Sequence, residues 1–548
     1  MSETIFIPGI IASVIVLAVS ILIGFWGRKL TNNLADYYVA GRTIGAVNNG
    51  FAMLSLSLSL TTFLGLTALI IYGFYLAVAI YASFTAAFIA MLVLAAPYLR
   101  RHRSFTTMNF IGDRFYSRNL RLLSVVIMLV VSILYMVANI KGVGIIFEMM
   151  LGLPEFWGIL VGGLVVTIYV TIGGMYGVTY NQTFQSLVML FAVMLPVMII
   201  LKALGASGWW FPPLGYGEMV PAMVQLTPHY FFPFIVHPVW YIAVFLGSFF
   251  GIIGLPHFVM RFFTVRDAKE ARWSTVICAF LVGIINTSVY AVGFAGVYYM
   301  ATHGVQIDPR HYDRFVFILT EALAGSGWLA IAIAGALAAA LSTIAGLLMI
   351  MGAGLVHDFY GVLRPNTNPD KMLKLATWVM FGVGIVSTLI SLRPPEFILV
   401  TVMWAFGIAG AAFGVPIVLG IWWKRANKEG AAAGMIVGFL TSFIPYILIE
   451  ILAWEPTAIS RFLYGPLGWV KSIAYSIPLA FIAMVIVSWL TKEPPLEVRQ
   501  QVDKMHGWSD YREERYNGKV LPVIILILSI LCILFSFTLY DIFSKIGS

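Results

Sequence analysis

Charged side chains are scarce in this chain. Only 10% of its 548 residues are Asp, Glu, Lys or Arg, whereas 61% are hydrophobic and the mean hydropathy is +0.94. A soluble protein of this size could not cover so much apolar surface with polar side chains. The composition therefore excludes a soluble globular protein and predicts a chain that crosses a lipid bilayer many times.

Cysteine and long polar stretches are nearly absent as well. The two cysteines, Cys278 and Cys532, lie in apolar runs, so neither a disulfide framework nor a cysteine metal site is expected. The largest polar stretch, residues 492–519, is too short for a soluble domain, and the loops contain no nucleotide-binding, kinase or metal-hydrolase motif. A membrane sensor and a membrane-embedded enzyme are therefore disfavoured.

Fourteen apolar runs are long enough to cross a bilayer. They cover residues 7–26, 48–76, 79–98, 120–150, 156–172, 181–203, 236–262, 273–301, 324–356, 373–392, 396–423, 430–452, 470–491 and 520–543. If both termini lie outside, 25 of the 33 basic residues fall on the inner side, seven on the outer side and Lys141 within a span. This asymmetry follows the positive-inside rule. The net charge of +9 is thus explained by basic residues in the inner loops and does not indicate a surface that binds nucleic acid.

A ladder of hydroxyl groups interrupts the second run, where residues 54–62 read LSLSLSLTT. Period two is typical of a strand, but an isolated strand in hydrocarbon leaves its backbone unsatisfied, so a helix is expected. The hydroxyls of such a helix often bond the carbonyl four residues back. Alternatively, the helix unwinds near Ser55–Ser59, which frees carbonyls for a cation and turns Ser59 and Thr62 toward an anionic substrate.

A second hydroxyl pair lies in the ninth run, where residues 335–354 read GALAAALSTIAGLLMIMGAG. On a helix, the carbonyl of Ala339 lies beside the side chains of Ser342 and Thr343, and the small residues allow another helix to approach closely. Three oxygens from this helix and two backbone carbonyls from the hydroxyl-rich segment 54–62 would form a five-oxygen site. Such a site suits sodium, which is a hard cation. Small-residue packing with a back-bonded pair is the alternative.

Lys141 is a basic residue well inside a predicted span, which makes it a candidate for function. It lies twenty residues after Arg121, which is about 30 Å along a helix, so it is expected near the outer interface. There it either binds a substrate anion or extends its ammonium group toward water. Asn139 and Tyr135, deeper on the same helix, are further candidates for lining a cavity.

Four stretches carry a resemblance to a known family. They are DYYVAGRTIG (36–45), GGMYGVTYNQTFQ (173–185), GLPHFVMRFFTVRDAKEAR (254–272) and VHDFYG (356–361). Together they resemble the sodium:solute symporter family over nearly the whole chain, and the third is similar to its cation/acetate, or monocarboxylate, branch. The resemblance implies a sodium-coupled transporter in the cell membrane and no enzymatic activity.

The resemblance also implies a domain organisation. The expected fold is all-α, with about 14 transmembrane helices and a leucine-transporter-type inverted repeat of five plus five helices whose first helices are broken. The expected divisions are the first span and an inner loop (1–47), the first repeat (48–203), an outer loop (204–235), the second repeat (236–429), and three further spans with a charged inner linker at 492–519 (430–548).

The ligands of the family's sodium site match residues in the same two segments of this chain, 54–62 and 335–354. Its two carbonyls from the broken first helix match Ser55 and Leu58 in this chain. Its remaining ligands match the carbonyl of Ala339 and the hydroxyls of Ser342 and Thr343. The resemblance and the reasoning from the residues therefore agree on one sodium site.

The substrate site follows from the same comparison. Relatives of the sialic-acid type bind a substrate carboxylate with hydroxyls that match Ser59 and Thr62, and we add Asn139 and Lys141 as substrate candidates. Many members carry an Asp where this chain has Gln182, and in some it helps to form a second cation site, so one sodium per substrate is expected here. The sequence predicts import of a small organic anion such as acetate, lactate or pyruvate by alternating access. Another solute (proline, a sugar, urea or a nucleobase) or proton coupling is the alternative.

Overall fold

Long apolar helices make up nearly all of the structure, a computed structural model. It describes residues 5–507 except for residues 73 and 172 and the segments 216–218, 220–237, 306–308, 394–397 and 453–467. Nine of the described helices are long and apolar enough to cross a membrane, and three bent pairs bring the spans to as many as twelve. The all-α polytopic fold is therefore confirmed, but the number of about 14 spans is not. The last predicted run, 520–543, lies outside the described residues.

The described helices are numbered in chain order. They are α1 (Ile7–Lys29), α2 (Leu34–Val39), α3 (Ala46–Ser57), α4 (Leu66–Tyr72), α5 (Phe74–Leu94), α6 (Ala96–His102), α7 (Thr107–Arg114), α8 (Arg118–Leu151), α9 (Glu155–Val170), α10 (Gly174–Ala203), α11 (Pro238–Gly254), α12 (Pro256–Thr264), α13 (Ala268–His303), α14 (Phe315–Ala324), α15 (Ser326–Ala353), α16 (Pro369–Ser391), α17 (Ile398–Ala409), α18 (Val415–Trp422), α19 (Lys428–Tyr446), α20 (Gly468–Leu490) and α21 (Leu496–His506).

The first break interrupts the hydroxyl ladder. Helix α3 ends at Ser57, a π-helical turn begins at Thr61, and the axis bends by 52° between them. The amide of Thr62 pairs with the carbonyl of Ser59 at 2.9 Å, while its hydroxyl donates to the carbonyl of Ser57 at 2.7 Å. A side chain thus replaces a backbone donor that the break removes. The predicted broken helix is confirmed, with the break at residues 58–60.

A second break separates α11 from α12 and bends the chain by 42°. Pro256 is the first residue of α12, where its missing N–H costs nothing and its ring ends the preceding helix. Gly254 lies so close to α17 that a Cβ there would be 2.2 Å from the carbonyl oxygen of Ala409. Glycine and proline therefore create this bend, and the hydroxyl of Thr107 on α7 donates to the carbonyl of Pro256 at 3.3 Å.

Helix α15 lies at the centre of the bundle. Its most apolar stretch is buried throughout, and it packs on α1, α3, α8 and α10. A Cβ at Gly335 would lie 2.1 Å from the Cβ of Ala192, and one at Gly346 would lie 2.6 Å from a methyl group of Leu56. The small residues thus bring the wall that carries Ser342 against the broken helix.

The segment 492–519, which the sequence predicts to be a charged inner linker, contains the short amphipathic helix α21. Its apolar residues Val502 and Met505 are buried, and Arg101 of α6 donates to the carbonyl of Met505 at 3.0 Å. Lys424 and Asp503 form a salt bridge of 2.7 Å. The start of the linker is therefore docked on the helix bundle.

Candidate sodium and substrate sites

Three of the oxygens predicted to bind sodium lie together. The hydroxyl oxygen of Ser342 is 2.9 Å from the carbonyl oxygen of Ser55 and 2.9 Å from that of Ala339. A serine hydroxyl has a single proton, so it can serve only one of the two carbonyls fully at a time. All three residues are buried. The cluster therefore has more hydrogen-bond acceptors than protons to share among them. A bound cation would give the remaining oxygen lone pairs a positive partner.

The other two predicted ligands lie beside this cluster. The hydroxyl of Thr343 is buried and has no hydrogen-bond partner among the described residues, a condition that costs about 1–3 kcal/mol unless something binds it. Leu58 and Ala339 line one small cavity of about 250 Å³. The amide of Thr62, four residues after Leu58, pairs with Ser59, so it does not occupy the Leu58 carbonyl. The structure therefore joins Ser55, Ala339 and Ser342 through hydrogen bonds and places Leu58 in a cavity with Ala339. Thr343 follows Ser342 directly in the chain.

Gln182 connects the sodium wall to a buried arginine. Its side-chain nitrogen donates to the carbonyl of Ser342 at 2.7 Å, and its side-chain oxygen accepts from the guanidinium of Arg261. Arg261 also donates to the hydroxyl of Thr179 at 2.9 Å, and its side chain is only 1% exposed. No carboxylate among the described residues pairs with it. The sequence indicated Gln182 but not its link to Arg261.

A second cavity lies against the broken helix, which contributes Ser59, Thr61 and Thr62 to its lining. One part of its wall carries hydroxyl and amide groups, and the other part is apolar. The lining residues are Ser59, Thr61, Thr62, Tyr135 and Asn286 in the polar part and Leu66, Ile80, Phe84, Leu399, Val402 and Phe406 in the apolar part. None of these described residues is charged. The cavity therefore suits a small ligand with one polar end and one apolar end.

The hydroxyls in this cavity differ in what they can donate. Ser59 accepts a hydrogen bond from Tyr135 at 3.3 Å, so its own proton remains available for a ligand. The hydroxyl of Thr62 donates to the carbonyl of Ser57 and must rotate before it can serve a ligand. The side-chain oxygen of Asn286 is buried and has no partner among the described residues. Ser59 and Thr61, whose hydroxyl has no partner among the described residues, are thus the readiest donors to an anion.

The structure does not bring Asn139 and Lys141 to this cavity. The amide of Asn139 donates to the carbonyl of Tyr135 at 2.8 Å, so it faces its own helix. The ammonium nitrogen of Lys141 lies 3.7 Å from a carboxylate oxygen of Asp313. Asn286, which sequence reasoning missed, lines the cavity instead. Its signal was an amide in the middle of the eighth apolar run, where polar side chains are costly and mark functional sites.

Comparison with known proteins identifies the family. The sequence model described as "Sodium:solute symporter family" matches residues 37–438. The chain belongs to the sodium:solute symporter family. It is also similar to the Uncharacterized symporter YwcA of Bacillus subtilis (strain 168), with 25% identity over 497 residues that cover 88% of this chain and 94% of that protein.

Two solved structures show the same fold. One is a Na+-coupled sialic acid symporter in a substrate-bound outward-open state, with a TM-score of 0.72, 20% identity and coverage of 89% of this chain and 98% of that one. The other is Mhp1, a nucleobase-cation-symport-1 family transporter, with a TM-score of 0.51, 13% identity and coverage of 86% and 100%. The symporter has the leucine-transporter-type fold. It is a multi-pass membrane transporter and not an enzyme, and sodium is its coupling ion.

Proposed function

We propose that this symporter couples sodium to the import of a small monocarboxylate such as acetate, lactate or pyruvate. The observation that carries the proposal is the divided cavity, with hydroxyl donors at the broken helix and an apolar wall opposite. A carboxylate at Ser59 gains a charge-assisted hydrogen bond and faces the positive end of the half-helix that begins after the break. A short apolar tail then fits the side of Phe84 and Phe406.

The same cavity disfavours the other solutes. Proline carries an ammonium group, and no carboxylate among the described lining residues would pair with it. A sugar would leave several hydroxyls against the apolar wall without partners. The rings of Phe84 and Phe406 touch each other, with centroids 5.3 Å apart, so a planar nucleobase has no slot between them. A small organic anion with an apolar tail matches the hydroxyl donors of the polar part and the hydrophobic side chains of the apolar part.

For the sodium site we propose five oxygens. They are the carbonyls of Ser55, Leu58 and Ala339 and the hydroxyls of Ser342 and Thr343. The unpartnered hydroxyl of Thr343 and the proton-poor cluster around Ser342 support this set. Because these oxygens come from two helices, binding of the cation favours the arrangement in which α3 and α15 are close and the ladder is in place for substrate.

We propose the topology and the repeats that the sequence predicts. Residues 48–203 and 236–429 form two inverted repeats, and both contain a bent helix pair near their start, as such repeats require. The basic residues then place both termini outside the cell membrane. Movement of the repeats relative to each other would give alternating access.

Uptake by the purified protein in liposomes tests the proposal. We expect uptake of radiolabelled acetate, lactate or pyruvate that requires a sodium gradient, and competition by the acid but not by its uncharged amide. Proline, glucose, urea and uracil serve as competitors from the other solute classes. Equal competition by acid and amide, or uptake driven by a proton gradient without sodium, would contradict the proposal.

A further inference from the structure

Asn286 carries a polar atom that its protein surroundings leave unsatisfied. It lies on α13, is only 2% exposed, and lines the substrate cavity. Its side-chain oxygen is buried and accepts no hydrogen bond from any of the described residues. A buried acceptor without a donor is costly, so we expect this oxygen to receive its hydrogen bond from the molecule that occupies the cavity.

The hydroxyls on the opposite side of the same cavity can donate. The hydroxyl of Ser59 accepts from Tyr135 at 3.3 Å and keeps its own proton for a ligand. The hydroxyl of Thr61 has no partner among the described residues. A carboxylate accepts hydrogen bonds but has no proton to give. It therefore satisfies Ser59 and Thr61 and leaves the oxygen of Asn286 without a donor.

The ligand that satisfies both sides is a carboxylate with a neutral donor close to it. An ammonium group would bring a positive charge that no carboxylate among the described lining residues pairs with. A hydroxyl group brings a proton without a charge. Acetate and propionate have no such donor, and the keto oxygen of pyruvate would face the amide oxygen with lone pairs on both atoms. The hydroxyl of lactate or glycolate is on the carbon next to the carboxylate.

We propose that Asn286 accepts a hydrogen bond from a hydroxyl group of the substrate and thereby selects short 2-hydroxy monocarboxylates of the glycolate and lactate type. The carboxylate binds Ser59 and Thr61, the hydroxyl binds Asn286, and the short tail lies against Phe84 and Phe406. The inference rests on the proposed monocarboxylate function and narrows it to one class of acid. It makes Asn286 the residue that determines specificity.

Three acids with the same carbon skeleton test the inference. Lactate, pyruvate and propionate differ only at the carbon next to the carboxylate, which carries a hydroxyl, a keto oxygen or hydrogens. In liposomes with a sodium gradient, half-maximal uptake by the wild type should need about tenfold less lactate than propionate or pyruvate, the effect of one hydrogen bond. Asn286→Leu, which is similar in size, should raise the value for lactate about tenfold and leave the value for propionate unchanged.

Asn181→Leu is the matched control. The side-chain nitrogen of Asn181 donates to the carbonyl of Ser20 at 2.9 Å, and its oxygen has no partner among the described residues, but it does not line this cavity. This variant should keep the wild-type ratio between lactate and propionate. Sodium binding measured by calorimetry without substrate shows that both variants are folded.

Two outcomes would overturn the inference while sodium-coupled uptake of monocarboxylates stands. In one, the wild type takes up lactate and propionate with equal half-saturation. In the other, Asn286→Leu weakens all three acids to the same extent, which would mean that the amide donates to the carboxylate and does not read the hydroxyl. If none of the three acids is taken up with sodium, the proposed function itself fails and the inference fails with it.

Discussion

Two of the three bends in the described part of the bundle, the one that follows α3 and the one between α11 and α12, are similar in size but differ in chemistry. The first bends the chain by 52° and the second by 42°. At the first, hydroxyls take over backbone hydrogen bonds, and the buried side chains of Ser57 and Thr61 have no partner among the described residues. At the second, Gly254 and Pro256 make the turn, and neighbouring backbone fills the space. The first bend leaves hydroxyl oxygens for ligands, whereas the second leaves, beside Pro256, the ring nitrogens of the buried His257 without a partner among the described residues.

The largest effect should come from the wall opposite the first break. We expect Ser342→Ala and Thr343→Val each to raise the sodium concentration for half-maximal uptake by about ten- to a hundredfold, because each removes an oxygen that we propose as a sodium ligand. Thr67→Val is the matched control, since the hydroxyl of Thr67 donates to the carbonyl of Phe63 within its own helix at 2.9 Å. Unchanged sodium dependence in both site variants would refute the site.

The next largest effect concerns the substrate side of the same break. Ser59→Ala should weaken binding of the acid by about ten- to a hundredfold in calorimetry, and Thr62→Val should weaken it less, since Thr62 must first leave Ser57. Sodium affinity without substrate should hardly change, because the cation relies on other oxygens. If both variants lose sodium affinity and acid affinity in parallel, the sodium site and the substrate site are not separate. The proposed division of the first break between a cation and a carboxylate would then be wrong.

At the second break we expect an effect on stability without one on ligand affinity. Gly254→Ala forces a methyl group against the carbonyl of Ala409, and such overpacking costs about 1–3 kcal/mol. Thermal unfolding of the purified variant should therefore begin at lower temperature, while sodium and substrate affinities stay close to those of the wild type. A selective loss of sodium affinity would show that this bend also shapes the cation site.

The smallest change is expected at Gln182. Because the side chain supports the Ser342 carbonyl without adding a charge, one sodium should accompany one monoanion, and transport should be electroneutral. On supported membranes the wild type should give no substrate-dependent inward current. Gln182→Leu should weaken sodium binding only severalfold, since it removes a contact to a ligand residue and not a ligand. A current that grows with sodium would contradict this stoichiometry.

The sequence predicted those parts of the site that depend on local spacing. The period-two hydroxyls at residues 54–62 cannot form a stable strand in hydrocarbon, which predicted a helix, and their number made an unwound turn one of two alternatives. The position of Ala339 relative to Ser342 follows from helix geometry. Phe84, Phe406 and Asn286 lie on three different helices, and their approach depends on how those helices pack. The link from Gln182 to Arg261 is likewise a tertiary contact. No periodicity within one segment carries that information.

The complete burial of α15 has a consequence for how this chain tolerates mutation. Its most apolar stretch is covered on every side, whereas only 28% of the corresponding stretch of α1 is buried. In a scan of all single substitutions scored by transport, α1 should show tolerant positions that recur with the turn of the helix. Helix α15 should instead show an unbroken band in which larger side chains fail, including at alanines far from any ligand. Such a map would locate the central helix of the transporter without a structure.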